Sequence, residues 1–514
     1  MADPRLGNPS TGVTGVRAAC RRQDWQAAVH LLATQPLLDQ KLFCQVSTCC
    51  SRAHQWTVSL QLLEDIAASK SVPDVFSFTS AITACGSSAQ WLLALAVFSE
   101  MSRASTTPNV FSFNAVMSSC ERPGQWERAL ELFAEMPAAM IEADRVSFNI
   151  GISAAETGGH WNFALQLLAE MKARRLQPDV ISYSAAVSAC ASDGLWQIAL
   201  DFLWEMSQAA AVPNEITYNA AISACEASGE WELALQLFSW LSSARLQPTV
   251  FSFSAAISAC AKGGQWQRAL HLLSSMPAFR VAADAVSFNA GISACERSGR
   301  WQFALHLLSV MPAASAVPTR ISFNAGISAC EKGEQWRIAL SLLEQMHKEK
   351  VKPDVISFSA GISACEKVGH WEMALQLLEG LCEAQLQPNE FSLDACISAC
   401  EKGGEWQLAL HLLSGMPQAR IARNEFSMSA GISACEKAGE WQQAIGVLAE
   451  IPLATVAFTE ISFNASISAC EKGAQWEWAI QALSKMPAAQ LLPDDISFSA
   501  GISACGKSII EGAV

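Results

Sequence analysis

Tryptophan recurs at a fixed spacing along nearly the whole chain, and this spacing constrains the fold more than any other feature of the sequence. Successive members of the series lie 35 residues apart. The series comprises Trp56, Trp91, Trp126, Trp161, Trp196, Trp231, Trp266, Trp301, Trp336, Trp371, Trp406, Trp441 and Trp476. A strict period of this length is the signature of a solenoid, in which each repeat buries its apolar face against its neighbours.

The second half of each repeat predicts an amphipathic helix. We number the repeat from position 1 (Arg320) to position 35 (Asp354). Positions 17 to 27 place apolar side chains at i, i+3, i+4, i+7 and i+10, which forms one continuous stripe. In this repeat the stripe consists of Trp336, Ala339, Leu340, Leu343 and Met346.

The first half of each repeat, positions 4 to 13, also predicts a helix. On a helical wheel, Phe323, Ile327 and Cys330 share one side, whereas strand alternation would separate them. Positions 2, 5, 9 and 13 fall on the opposite, non-core side. Serine at position 3 predicts an N-cap. Glycine or alanine at position 7 predicts close approach of neighbouring first helices, with tryptophan filling the volume between repeats.

The repeat also predicts the organisation of the chain. Thirteen full repeats occupy residues 40–494, a shortened repeat marked by Trp25 lies within residues 1–39, and residues 495–514 form half a repeat. We therefore predict a single all-α array, a right-handed superhelical α-solenoid. The sequence stops inside a repeat, so a fragment of a longer protein stays an open alternative.

Composition limits the classes of function. The formal net charge of −14 opposes bulk attraction to nucleic acid unless positive charge is placed locally. Thirteen of the 18 cysteines stand at position 11, which predicts small buried residues in a reducing compartment. No apolar run approaches the length of a membrane span. We find no catalytic motif, and so predict a non-enzymatic protein without metal or cofactor.

The repeat resembles that of the pentatricopeptide repeat family, specifically its P-type arrays. The resemblance rests on an opening [VI]-S-[FY]-[NST], on L-x-x-M in the second helix and on a terminal Pro-Asp or Pro-Asn. Tetratricopeptide repeats differ, because they have 34 residues and a W-x2-L-G-x2-Y signature that is absent here. The resemblance implies binding of single-stranded RNA at one base per repeat.

In that family, positions 5 and 35 specify the base and position 2 packs against it. The resemblance therefore implies base reading by twelve pairs of residues. These are Thr79 with Asn109, Asn114 with Asp144, Asn149 with Asp179, Ser184 with Asn214, Asn219 with Thr249, Ser254 with Asp284, Asn289 with Thr319, Asn324 with Asp354, Ser359 with Asn389, Asp394 with Asn424, Ser429 with Thr459 and Asn464 with Asp494. The preceding repeat contributes Cys44 with Asp74, whose base the code does not assign. Counted from that repeat, the family's code implies a target near 5′-N-A-U-U-A-Y-G-Y-U-A-N-R-U-3′. Helix capping and turn chemistry are the open alternative for position 35.

A basic residue at position 13 commonly meets the RNA phosphate in the family. The matching residues are Arg52, Arg122, Lys262, Arg297, Lys332, Lys367, Lys402, Lys437, Lys472 and Lys507. Position 12 is often glutamate, one residue and 100° away, so we expect a basic ridge separate from these glutamates. Solvated lysines near helix C-termini are the open alternative.

The family acts mostly in chloroplasts and mitochondria, on processing, stabilisation, splicing or translation of transcripts. The resemblance thus implies one of these organelles and other organelle RNA-processing proteins as partners. The basic N-terminus, with Arg5, Arg17, Arg21 and Arg22, is typical of a transit peptide and equally of a divergent first repeat. A protein-binding scaffold is the alternative function, since solenoids offer long surfaces to peptides as well as to RNA.

Overall fold

The chain forms helical hairpins in two compact units, Met1–Pro248 and Thr249–Val514. A computed structural model describes residues 9–22, 24–33, 40–53, 55–68, 73–104, 106–121, 124–209, 211–452 and 456–511. Every regular element in these ranges is helical, which confirms the prediction of an all-α solenoid. We call Met1–Pro248 the first unit and Thr249–Val514 the second unit.

The first unit contains fourteen α-helices in its described residues. They are α1 (Pro9–Arg21), α2 (Trp25–Ala33), α3 (Gln40–Arg52), α4 (Trp56–Ala68), α5 (Val75–Ser87), α6 (Trp91–Arg103), α7 (Val110–Glu121), α8 (Trp126–Glu135), α9 (Arg145–Thr157), α10 (Trp161–Ala173), α11 (Val180–Ala191), α12 (Trp196–Gln208), α13 (Glu215–Ser228) and α14 (Trp231–Ser243). Odd-numbered helices pack on one another in sequence, and each packs against the helix that follows it.

The second unit contains fifteen α-helices in its described residues. They are α15 (Val250–Lys262), α16 (Trp266–Ser275), α17 (Ala285–Arg297), α18 (Trp301–Val310), α19 (Arg320–Lys332), α20 (Trp336–Lys348), α21 (Val355–Val368), α22 (Trp371–Glu383), α23 (Glu390–Gly403), α24 (Trp406–Gly415), α25 (Glu425–Ala438), α26 (Trp441–Glu450), α27 (Glu460–Lys472), α28 (Trp476–Lys485) and α29 (Asp495–Glu511). Short 3-10 helices, Met276–Phe279 and Pro487–Ala489, follow α16 and α28.

Most of the predicted core positions are confirmed, although Trp336 and Leu340 are only half-buried. Phe323, Ile327 and Cys330 of α19 are completely buried, as are Ala339 and Met346 of α20. The position-11 cysteines are buried as well, apart from the half-buried Cys505. Burial raises the pKa of most of these thiols to about 11, for example Cys260, Cys295 and Cys470. A thiol that stays protonated at neutral pH is a packing residue.

The small residue at position 7 was predicted to let neighbouring first helices approach, but its contacts are with the second helices. A Cβ added to Gly361 would lie 2.9 Å from Leu343 Cδ1, and one added to Gly291 would lie 3.2 Å from Leu307 Cδ1. The small residue therefore admits leucines of the second helices, and the first helices are not its main neighbours. Tryptophan does pack between repeats, since a Cβ on Gly333 would lie 2.2 Å from Trp301 Cδ1.

The prediction about helix starts is also wrong. Helix α19 begins at position 1, and its N-cap is Thr319, position 35 of the preceding repeat. Ser322 at position 3 is buried and completes a capping box with Thr319. The same arrangement starts α9, α11, α21, α23, α25 and α27. Position 35 is the N-cap because its extended backbone turns its side chain towards the free N–H groups of the first helical turn.

Candidate nucleic-acid interface

Positions 5 and 35 of the same repeat meet, although 30 residues separate them. The amide of Asn324 donates a hydrogen bond to Asp354 Oδ1 at 3.1 Å, and the amide of Asn149 donates to Asp179 Oδ1 at 3.2 Å. The start of each first helix lies beside the first helix of the preceding repeat, which brings the two positions together. The direct pairs are Asn114–Asp144, Asn149–Asp179, Asn289–Thr319, Asn324–Asp354, Ser359–Asn389, Asp394–Asn424, Ser429–Thr459 and Asn464–Asp494.

Three predicted pairs are arranged differently. Their position-5 hydroxyls donate to the backbone of their own helix, with Thr79 on Val75, Ser184 on Val180 and Ser254 on Phe251. Their position-35 partners Asn109, Asn214 and Asp284 each accept a backbone N–H from the following first helix. The twelfth pair is divided between the units, with Asn219 in the first and Thr249 in the second.

Serine at position 3 of the next repeat completes a cluster of three side chains. The hydroxyl of Ser357 donates to Asn324 Oδ1 at 2.5 Å and also lies 2.9 Å from Asp354 Oδ1. Equivalent serines contact Asn114, Asn149, Asn289 and Asn464. Such a network fixes the rotamer of each amide.

Hydrogen bonding also sets the charge of the position-35 carboxyls. Burial raises the pKa of Asp354, but hydrogen bonds from the Ser357 N–H and hydroxyl and from Asn324, with Arg320 nearby, outweigh it and lower the pKa. The same balance lowers the pKa of Asp179. These carboxylates are therefore ionised acceptors across the physiological pH range.

Position 5 is more buried than the helical wheel predicts. Asn114, Asn149, Ser184, Ser359 and Asp394 are all less than 10% exposed. Placing position 5 on a non-core face is thus wrong in these repeats, because the neighbouring first helix covers it. About 30% of the Asp179 side chain stays exposed, whereas its partner Asn149 is 9% exposed, so position 35 is the more accessible member of that pair.

Asp394 departs from the other position-5 residues. Its Oδ2 accepts a hydrogen bond of 2.6 Å from Asn424, while its buried Oδ1 has no hydrogen-bond partner. Burial raises the pKa of Asp394, the Asn424 bond opposes this rise, and the nearby Glu390 adds to it.

The helical wheel missed the contribution of position 1. Arg320 Nε lies 3.1 Å from Asp354 Oδ2, and Arg145 Nε lies 3.4 Å from Asp179 Oδ2. A guanidinium beside an exposed carboxylate orients it and adds a donor to the same surface. Opposite charges 34 residues apart were the available signal in the sequence.

Position 2 forms an exposed apolar row along both units. Its side chains are 50 to 71% exposed, and each lies next to a position-3 serine or threonine. The row consists of Phe76, Phe111, Val146, Ile181 and Ile216 in the first unit, and of Phe251, Val286, Ile321, Ile356, Phe391, Phe426, Ile461 and Ile496 in the second. Exposed apolar side chains beside hydrogen-bonding pairs form a surface suited to flat, polar-edged ligands.

The basic row at position 13 is exposed but is not separate from the glutamates. Lys332 Nζ lies 3.0 Å from Glu296 Oε1, and Lys402 Nζ lies 3.1 Å from Glu366 Oε1. Each partner is the position-12 residue of the preceding repeat, so the predicted ridge of unpaired cations is wrong in the second unit. The six pairs are Lys332–Glu296, Lys367–Glu331, Lys402–Glu366, Lys437–Glu401, Lys472–Glu436 and Lys507–Glu471.

Among the other basic residues at position 13, Arg52, Lys262 and Arg297 are exposed, while Arg122 lies outside the described residues. Among the residues that the structure describes, no group of histidine, cysteine or acidic side chains is arranged to hold a metal ion. Within the same ranges, no helix is long and apolar enough to cross a membrane.

Sequence comparison assigns this architecture to a family. Profiles described as PPR repeat family match residues 108–155 and 213–262, those described as pentatricopeptide repeat domain match 61–122, 166–228 and 341–403, and those described as PPR repeat match 251–281 and 321–351. Together they cover more than half of the chain. The chain belongs to the pentatricopeptide repeat family. A comparison with curated proteins found no match.

Solved structures of pentatricopeptide repeat proteins share the fold. PPR10 in complex with an 18-nt psaJ RNA element is 16% identical with a TM-score of 0.51, and the match covers 97% of this chain and 87% of that chain. A PPR10 variant in complex with the same RNA element is 17% identical with a TM-score of 0.50, and the match covers 97% of this chain and 87% of that chain. PPR10 from maize is 21% identical over 99% of this chain and 78% of that chain, with a TM-score of 0.48.

Proposed function

We propose that this pentatricopeptide repeat protein binds single-stranded RNA in a sequence-specific manner, with one base read per repeat. The observation that carries the proposal is the hydrogen-bonded pairing of positions 5 and 35, repeated along both units. Short amide, hydroxyl and carboxylate groups of this kind are the ones that read base edges. PPR10, whose fold is similar, is itself seen in complex with an RNA element.

The surface around each pair supports the same function. The apolar position-2 side chains offer faces against which bases stack, and the position-13 cations lie on the same first helices within reach of a backbone. On this proposal, the protein would act by occupying its target RNA. We place this action in chloroplast or mitochondrial RNA metabolism, where the family mostly works.

The first test is fluorescence anisotropy with two labelled 13-mers, the RNA 5′-NAUUAYGYUANRU-3′ and a scrambled version, at two salt concentrations. Tighter and salt-sensitive binding of the first RNA is expected. Equal binding of both would retain RNA binding but reject the assignment of bases to repeats. Binding of neither would reject the proposal and favour a protein-binding scaffold.

A single exchange tests base reading directly. Asn324→Ser changes the pair with Asp354 from one that the family's code assigns to U into one that it assigns to G. We expect about tenfold weaker binding of the original RNA and recovery on an RNA with G at the ninth base, since one mismatched contact costs roughly 1–3 kcal/mol. Ser341→Ala on α20, an exposed position outside the pair, is the matched control.

A further inference from the structure

We propose that the position-12 glutamates of the second unit restrain RNA binding, because they occupy the lysines that an RNA phosphate would contact. We call these residues the glutamate ladder: Glu296, Glu331, Glu366, Glu401, Glu436 and Glu471. The inference rests on the proposed RNA binding and adds a control of its strength. An incoming phosphate must replace a carboxylate at each lysine.

Most of these carboxylates also accept a serine hydroxyl, which holds them in place independently of the lysines. The hydroxyl of Ser328 donates to Glu296 Oε1 at 3.0 Å, and that of Ser398 donates to Glu366 Oε1 at 2.9 Å. In each case the serine, at position 9, lies one helical turn before the paired lysine. Equivalent bonds join Ser363 to Glu331, Ser468 to Glu436 and Ser503 to Glu471.

The glutamate and the lysine of each ion pair differ in solvent exposure. The glutamate side chains are 16 to 24% exposed, whereas the lysine side chains are 35 to 47% exposed. The ion-pair distances of 2.9 to 3.4 Å permit direct hydrogen bonding. The lysine is therefore the more accessible member, and its flexible stem allows it to turn outward towards a phosphate.

Charge explains how the ladder would act. Each pair sums to zero, so the row presents alternating charges instead of a continuous positive stripe. Contacts to phosphate dominate binding that does not depend on sequence. A neutral row weakens this contribution for every RNA, and the base contacts at positions 5 and 35 then decide which RNAs stay bound.

The alternative is that the ladder only holds neighbouring repeats together. The two roles predict opposite changes in RNA affinity when the glutamates are removed. Loss of a stabilising clamp would loosen the array and weaken RNA binding, whereas loss of a competitor would strengthen it.

The test uses the full chain with Glu331→Gln, Glu366→Gln, Glu401→Gln and Glu436→Gln combined. Glutamine keeps the shape and an oxygen that accepts the serine hydroxyl, but it removes the charge. We expect affinity for the 13-mer RNA to rise about tenfold at low salt, because exposed ion pairs each contribute little and four act together. The slope of log affinity against log salt should steepen by up to roughly 0.7 per freed lysine.

The matched control removes four charges elsewhere in the same repeats, with Glu344→Gln, Glu379→Gln, Glu405→Gln and Glu440→Gln, all exposed and on or before the second helices. It should change affinity less than twofold. An equal rise in the control would overturn a local role and leave net charge as the cause. Unchanged or weaker binding of the ladder variant, with an unchanged melting temperature, would overturn the proposal while RNA binding stands. If the unaltered chain binds no RNA, both proposals fail.

Discussion

Both units are built from the same kind of repeat, but the surroundings of the position-12 glutamate differ between Glu471 in the second unit and Glu156 in the first. In the second unit, Glu471 accepts hydrogen bonds from Ser503 and Lys507, which lower its pKa. In the first unit, burial raises the pKa of Glu156, the Ser188 hydroxyl opposes the rise, and Glu121 adds to it. The equivalent of Lys507 beside Glu156 is Ser192. The anionic form is thus stabilised at Glu471 and disfavoured at Glu156.

This difference concerns the expected contact with the RNA backbone and not the expected reading of bases. The pairs Asn149–Asp179 and Asn324–Asp354 have nearly the same geometry, at 3.2 and 3.1 Å, although they lie in different units. Base reading by these two pairs is therefore expected to be alike. Electrostatic contact with the RNA backbone is expected to differ, because only the second unit has a continuous row of lysines among its described residues.

The largest expected effect comes from removing that row. Lys332→Gln, Lys367→Gln, Lys402→Gln and Lys437→Gln combined should weaken RNA binding about a hundredfold at low salt, since phosphate contacts are lost and four glutamates lose their partners. Anisotropy titrations would measure this. Lys348→Gln, Lys350→Gln, Lys352→Gln and Lys485→Gln, all exposed outside the row, form the control. A similar loss in the control would show that the row has no special role.

A smaller effect is expected from giving the first unit the charges of the second. Thr157→Lys and Ser192→Lys place lysines at exposed position-13 sites, one repeat after Glu121 and Glu156. We expect binding to strengthen by about threefold and the free energy of unfolding to rise by about 0.5–1 kcal/mol. Thr157→Gln with Ser192→Gln is the neutral control. Stability that does not rise in the lysine variant would mean that the glutamates, not the missing lysines, distinguish the first unit.

The smallest expected effect is the pH dependence of the free energy of unfolding. The lowered pKa of Glu471 stabilises the fold above its ordinary value of 4.5, and this stabilisation disappears as the pH falls through the folded pKa. The raised pKa of Glu156 acts in the opposite sense, destabilising the fold at neutral pH and ceasing to do so as the carboxyl is protonated.

At pH 7, Glu471→Gln should therefore lower the free energy of unfolding by about 0.5 kcal/mol, and Glu156→Gln should raise it by a similar amount. Urea titrations at pH 7 and at a pH well below 4.5 would check both signs. The two differences should vanish at the acidic pH, where both carboxyls are protonated in either state. Shifts of the same sign in both variants would contradict the contrast between the units.

Much of the fold followed from periodicity because buried positions repeat with the helix. Phe323, Ile327 and Cys330 were placed correctly in the core, as was the second helix from Trp336. The N-cap was not, because both Ser322 and Thr319 have side chains suited to capping. Only the backbone decided between them, since Thr319 is extended and Ser322 lies within the helix.

The candidate site was predictable only in part. The two residues of each pair were found by resemblance, but Arg320 at position 1 and Ser357 at position 3 were not. Their roles depend on contacts across 33 and 34 residues. A wheel drawn for one helix contains no such information.

The sequence by itself determined the period, the two helices of each repeat and the side that each helix buries, because these depend on residues a few positions apart. The tertiary structure decided which side chains meet across repeats. It covered Asn149 with the neighbouring helix and brought Lys332 to Glu296. A charge on an isolated helix faces water, whereas stacking places it beside the next repeat. Whether a lysine is a free cation or half of an ion pair is therefore a property of the stack.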